Sequence, residues 1–352
     1  MGKDKKKLQK YPSVSLCTPT FNRRPFIPIM LKCFEIQTYP KDKIEWLIID
    51  DGTDKIEDLV THIPQVKYLK YDEKMTLGKK RNILNETAKG DIIIFIDDDD
   101  YYPPERISHA VETLRNNPKA LCAGSSAMFI HFKHINKMFQ FGPYGPNHAT
   151  AATFAFRKEL LNNTKFDENS CIAEEKKFLK DYTIPFVQLD PKKTILVFSH
   201  NHNSFDKKEL LNQGPNPNIH ETTLIPADLI KESELLKFFM EDIDSLLDTY
   251  EPGKLENKPD VIKQIKEIKE SRDNMIREYS KKQADYNNTL NKLQMMTNPN
   301  IQKTFDEQTF MVKQLTLENG ELKNKIQYLE NKVKQLISEK IQEKMKEKSV
   351  SI

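Results

Sequence analysis

The feature that most constrains this chain is a wholly apolar run, Ile92-Ile93-Ile94-Phe95-Ile96, that passes without a break into four aspartates, Asp97 to Asp100. Five apolar residues without alternation read as a strand buried on both faces. Like charges about 4 Å apart repel by roughly 1 kcal/mol in water and about 4 kcal/mol at an effective dielectric near 20. A positive charge is therefore expected at the mouth of that strand. Carboxylates gathered without soft ligands suit a hard divalent cation, magnesium or manganese. If the chain stays extended, Asp97 and Asp99 face one side and Asp98 and Asp100 the other. The plainer alternative is an acidic loop that is simply solvated.

The surrounding sequence alternates strand and helix. Residues 14–17 form a short strand broken at Thr18-Pro19, residues 46–49 an apolar strand ending in Asp50-Asp51-Gly52, and residues 66–71 a weaker one. Phe26, Ile29, Met30, Cys33 and Phe34 recur at helical spacing. Residues 77–89 read as a helix stopped by Gly90, and Ile107, Ala110, Val111 and Leu114 share the face of another. Apolar strands alternating with amphipathic helices predict an α/β domain with a mostly parallel sheet covered on both sides. Ligands of such sheets bind outside the carboxyl ends of the strands. Thr18, Thr20 and Asn22, then Asp50 and Asp51, then Asp97 to Asp100 all fall at such ends. No P-loop and no G-x-G-x-x-G occurs. A phosphatase reading of Asp50-Asp51-Gly52-Thr53 fails because Ile49 stands where the nucleophile belongs.

Four segments in order resemble the GT-A glycosyltransferases of family 2: Ser15-Leu16-Cys17-Thr18-Pro19-Thr20-Phe21-Asn22-Arg23, Ile49-Asp50-Asp51-Gly52-Thr53, Gly78-Lys79-Lys80-Arg81-Asn82 and Phe95-Ile96-Asp97-Asp98-Asp99-Asp100. The resemblance covers residues 12–205. It implies a Rossmann-like GT-A domain, a nucleotide-sugar donor with a UDP-sugar the first choice, and a divalent metal (Mn²⁺ or Mg²⁺) bridging its diphosphate. By position, Thr18, Pro19, Thr20 and Asn22 would line the nucleotide pocket, Asp51 would meet the base, and Arg81 would lie near the nucleotide or diphosphate. Asp97 and Asp98 would sit by ribose and metal, with Asp99 the leading metal ligand and Asp97 a second. Transfer to the hydroxyl of a glycan, protein or small molecule, with inversion, needs a general base. The pair Glu174-Glu175 resembles the family's acidic pair at a helix start, and either residue is a candidate for that base. His200 and His202 resemble a C-terminal histidine that completes the metal set, and both face one side if extended. Residues 142–148 read as a lid over the donor or as a connector.

Beyond about residue 206 the chain turns helical in type and dense in Lys and Glu. The expected organisation is a basic tail at 1–11, the GT-A domain at 12–206, a helical region at 207–300 and a coiled-coil segment at 301–348. Val312, Asn319, Ile326 and Val333 occupy heptad a positions, and Leu315, Leu322, Leu329 and Leu336 the d positions. Branched residues at a with Leu at d favour a parallel dimer, and Asn319 fixes register. In that pairing Glu318 faces Lys323 and Lys325 faces Glu330. A homodimer through this coil is therefore expected.

With 55 basic and 52 acidic residues, overall charge gives no argument for nucleic acid. No apolar run approaches the roughly 20 residues of a membrane span. Scattered cysteines and no leader-like segment point to the cytoplasm. The Lys-, Asn- and Ile-rich style resembles proteins of AT-rich genomes, giant DNA viruses included. Other readings are a non-catalytic nucleotide-binding coiled-coil scaffold and a nucleotidyltransferase on a related fold, for which Asn22-Arg23-Arg24 is a thin match.

Overall fold

The computed structural model describes residues 11–212, 216–295 and 299–350. The basic tail, apart from Tyr11, and the linker residues 213–215 lie outside them. In chain order the strands are β1 (Val14–Thr20), β2 (Ile44–Asp50), β3 (Val66–Lys70), β4 (Ile92–Phe95), β5 (Cys122–Gly124), β6 (Met128–Phe132), β7 (Lys137–Phe141), β8 (Ala155–Arg157), β9 (Phe186–Gln188), β10 (Leu196–Ser199) and β11 (Ile219–Glu221). The α-helices are α1 (Ile27–Glu35), α2 (Glu57–Val60), α3 (Leu77–Thr87), α4 (Arg106–Asn116), α5 (Glu175–Phe178), α6 (Pro226–Leu229), α7 (Ser233–Lys237), α8 (Ile243–Asp248), α9 (Pro259–Met295) and α10 (Pro299–Val350).

Among the described residues the strands build a seven-stranded sheet, β3-β2-β1-β4-β8-β5-β9, and a four-stranded one, β10-β6-β7-β11. Strands β3, β2, β1 and β4 are parallel; β8 runs antiparallel to both neighbours. The mostly parallel α/β sheet expected from the sequence is present.

Alternation sorts the central strands. Leu16, Trp46, Ile48 and Ile94 pack with Met30 and Phe34 of α1 and Ile107 and Val111 of α4. Cys17, Leu47, Ile49, Ile93 and Phe95 pack with Leu84 of α3 and with Phe166 and Phe178. Each large side chain buried in this way contributes about 1.5–3 kcal/mol. Strand β1 runs three residues past the expected break, through Pro19. The Cys17 carbonyl accepts from Ile96 N–H at 3.1 Å, so Pro19, two residues on, turns its missing donor toward the side where β4 has ended.

Two compact units divide the chain, Met1–Lys269 and Glu270–Ile352. The expected boundary at 206 falls inside the first. Residues after it complete a third core cluster, in which Phe239 stacks on Phe198 at 4.4 Å and Phe238, Ile243 and Leu247 are buried beside Phe26 and Tyr101. The apolar face of β10 needs that cover. In the second unit, α10 carries the heptad residues on an open face, with Val312, Leu322, Ile326, Leu329 and Leu336 each 49–61% exposed. Among the described residues no helix is long and apolar enough to cross a membrane.

Candidate active site

The parallel register brings Thr20 beside Asp50 and Cys17 beside Phe95, so the segments after β1, β2 and β4 leave the sheet at one edge. A cavity of about 390 Å³ opens there. Its walls include Pro19, Thr20, Phe21 and Arg23 after β1, Lys80 and Arg81 of α3, Asp97 to Asp100 after β4, and Lys207 and Lys258 from later in the chain. Helix α3 starts where it does because the Thr76 hydroxyl caps it, accepting from Lys79 N–H at 3.3 Å.

The aspartate run does not stay extended. It bends, and Asp98 and Asp99 meet the same cation: Arg23 lies 3.5 Å from Asp98 Oδ1 and 3.2 Å from Asp99 Oδ2. Alternation of the four carboxylates therefore fails at the second and third. The Arg23 guanidinium is fixed from behind, donating to the His202 carbonyl at 2.8 Å. Arg23 supplies the expected positive charge only in part. Burial, with Asp99 and Asp97 adding, pushes the Asp98 carboxyl up against the pull of Arg23. Burial and its three acidic neighbours push Asp100 well up, and its buried Oδ1 finds no hydrogen-bond partner among the described residues. Asp99 is the exception: burial opposes it, yet Arg23 and the His200 hydrogen bond hold it well below the usual carboxylate range.

Among the described residues no three His, Cys, Asp or Glu side chains already converge as a metal-binding group. The donors nonetheless fit a hard divalent cation. Asp97 and Asp99 keep open surface, 30% and 14% of their side chains, and the run carries more negative charge than Arg23 offsets. The two histidines do not share a side, because residues 200–203 turn. His200 Nε2 lies 3.3 Å from Asp99 Oδ2, and its Nδ1 accepts from His202 N–H at 3.2 Å. Nε2 also lies 2.8 Å from Asn203 Nδ2, so both ring nitrogens are engaged inside the fold, and His200 meets the aspartate run through Asp99. The His202 ring stacks on Tyr250 instead, 6.2 Å away, and closes against Gly253, where an added Cβ would lie 2.6 Å from its Nδ1. His202 thus faces away from the aspartates.

The acidic pair separates by partner. Arg81 is buried over the Phe95 ring and donates from Nε to Glu174 Oε1 at 2.7 Å, with Asp97 Oδ1 3.4 Å from its Nη2. Glu174 is 3% exposed and committed to that pair. Glu175 opens α5, a single turn, half-buried and without an ion pair among the described residues. Burial, with the Glu174 charge adding, pushes its carboxyl up to about 7.

Of the residues singled out in the sequence, Pro19, Thr20, Arg81, Asp97, Asp98 and Asp99 line the cavity; Thr18, Asn22, Asp51, Glu174, Glu175, His200 and His202 do not. Thr18 points into the core, where its hydroxyl accepts from Trp46 Nε1 at 3.0 Å. Asn22, at φ 52°, ties loops together through Pro252 O and Asp54 N–H. Asp51 is buried against Lys80 Nζ at 2.7 Å and Met75 N–H. The departures of Thr18, Asn22 and Asp51 have one cause: a short polar side chain at a strand end is closer to neighbouring backbone and side chains than to the open crevice. Loop 142–148 is tied as a connector, with Ser126 Oγ accepting from Tyr144 N–H at 2.7 Å and Gln188 donating to Pro146 O at 2.8 Å. Sequence reasoning gave no role in sugar transfer to Arg23, Lys80, Lys207 or Lys258. Arg23 was visible within the first motif; Lys207 and Lys258 carry no local signal at all.

Residues 15–183 match the family model described as Glycosyl transferase family 2. That stretch runs from β1 past α5, holds every aspartate of the run and is similar to family 2 glycosyltransferase domains. An uncharacterized glycosyltransferase of Haemophilus influenzae is 26% identical over 106 residues, 30% of this chain and 35% of that protein. The poly(ribitol-phosphate) beta-N-acetylglucosaminyltransferase TarS of Staphylococcus aureus is 31% identical over 127 residues, 35% of this chain and 21% of that protein. The matches thus span about a third or less of these relatives' own lengths. A mannosyltransferase of Pyrobaculum calidifontis, solved with GDP-Man and Mn²⁺, aligns with a TM-score of 0.45 at 16% identity, over 59% of this chain and 67% of that one.

Proposed function

We propose that the protein transfers a sugar from a nucleotide-sugar donor, a UDP-sugar the first choice, to a hydroxyl acceptor with inversion. The observation that carries this reading is the convergence of Asp97, Asp98, Asp99 and Arg81 on one crevice at the carboxyl ends of parallel strands. Asp99 and Asp97 would hold a divalent cation, with His200 orienting Asp99. When bound, such an ion supplies neutralisation of the diphosphate charge that grows as the leaving group departs. Glu175 is the general base. Its carboxylate takes the proton of the acceptor hydroxyl, the acceptor oxygen attacks the anomeric carbon, and the bond to the diphosphate breaks on the opposite face. A carboxyl pushed up to about 7 is matched to that task near neutral pH. Glu174 serves by holding Arg81, which keeps Arg81 against Asp97.

The test is to incubate the protein with a panel of UDP- and GDP-sugars and Mn²⁺ and to follow nucleotide release. Metal-dependent release from at least one donor is expected. No release from any donor, with no metal-dependent shift in Tm, contradicts the proposal and favours a binding scaffold.

A further inference from the structure

Lys258 lies well beyond the family match, directly before Pro259 of α9, yet it lines the crevice. It is 4% exposed. The other buried cations of that wall are engaged: Arg23 with Asp98 and Asp99, Lys80 with Asp51, and Arg81 with Glu174. Lys74, more exposed, pairs with Asp260. Among the described residues no carboxylate or hydrogen-bond acceptor partners the Lys258 ammonium. Lys207, half-buried on the same wall, likewise has no ion pair. Taking an unpaired ammonium out of water costs several kcal/mol, and burial with Arg23 nearby lowers the Lys258 pKa to about 7. A fold keeps such a group where an anion arrives to meet it.

Building on the donor reading above, we infer that Lys258 is the diphosphate-binding residue of the crevice, with Lys207 beside it, and that the chain after residue 183 thereby completes the donor site. The carboxylates of the crevice repel a diphosphate, so a cation from another element must face it. Asp260 does not fill that place, since it is committed to Lys74 and accepts from Cys171 Sγ at 3.4 Å. Lys258 approaches with no carboxylate of its own, so its charge remains available to the ligand.

The test compares wild type, Lys258→Met and Lys258→Arg by calorimetry with UDP, GDP, uridine, guanosine and inorganic pyrophosphate, with thermal melting as the control for folding. Wild type should bind pyrophosphate and one of the two diphosphates. Lys258→Met should weaken both by about ten- to hundredfold, the scale of a hydrogen bond to a charged group, leave the matching nucleoside unchanged, and melt no lower than wild type. Lys258→Arg should recover most of the loss. Diphosphate affinity unchanged in Lys258→Met overturns the inference and leaves the donor reading standing. An equal loss of nucleoside affinity, or no recovery in Lys258→Arg, reveals a structural role and overturns it too. Wild type that binds none of the five probes overturns both.

Discussion

Glu174 and Glu175 are neighbours in the chain and opposites in environment. One is buried in an ion pair with Arg81 at 2.7 Å; the other is half-buried and unpaired, its carboxyl raised to about 7. Removing one partner of a buried pair costs about 3–5 kcal/mol, because the remaining charge is stranded. Glu174→Gln should therefore lower Tm markedly. Glu175→Gln should leave Tm near wild type while slowing transfer at least 10²-fold, the scale of a lost general base. The pH profile follows in sign: a base works only when deprotonated, so transfer should rise as pH climbs through about 7 and level off above it. Glu175→Gln should flatten that limb. A larger rate loss in Glu174→Gln at unchanged Tm would reverse the assignment. At this scale the sequence was a partial guide. It picked out the pair but could not choose, because the choice rests on Arg81, 93 residues away along the chain. It did not report how Thr18, Asn22 and Asp51 are bonded, for a related reason: polarity at a strand end marks proximity to the crevice, and a hydrogen bond to Trp46, Pro252 or Lys80 decides which way the side chain turns.

Elements were more legible than residues. The positions expected on the core faces of α1 and α4 are buried, with Ile27 and Arg106 added by the structure, because helical periodicity reports the core face directly. The extension of β1 through Pro19 escaped notice, since proline normally ends a central strand; only the length of β4 beside it makes the extension tolerable. The stripe on α10 poses the opposite problem. Its leucines are about half exposed in a single chain, and such a stripe needs cover. The pairs Glu318–Lys323 and Lys325–Glu330 would attract in a parallel homodimer, which Asn319 would hold in register. We propose that pairing. A chain ending before Phe310 should sediment as a monomer and the full chain as a dimer, while nucleotide release per chain stays the same. Equal masses for the two would remove the coil from the account.

For the whole molecule, the shift in composition near residue 206 does not coincide with the edge of a compact unit. Composition marks where strands give way to helices, but a compact unit ends where contacts end, and the first unit continues to Lys269. That difference matters for function, because Lys207 and Lys258 reach the crevice only when the helical residues pack back on β10. The architecture therefore joins a carboxylate-rich rim from the first half of the unit to cations from its end. Such a site should grip a metal and a diphosphate together better than either alone. The most direct measurement is titration calorimetry of UDP and GDP into the protein with and without Mn²⁺, repeated on Asp99→Ala. The account predicts binding of one nucleotide that tightens at least tenfold with Mn²⁺, a gain that Asp99→Ala loses while it still unfolds cooperatively, at a Tm lowered by the loss of the Arg23 pair. Nucleotide binding that ignores Mn²⁺, or an Asp99→Ala protein that keeps the full gain, would contradict it.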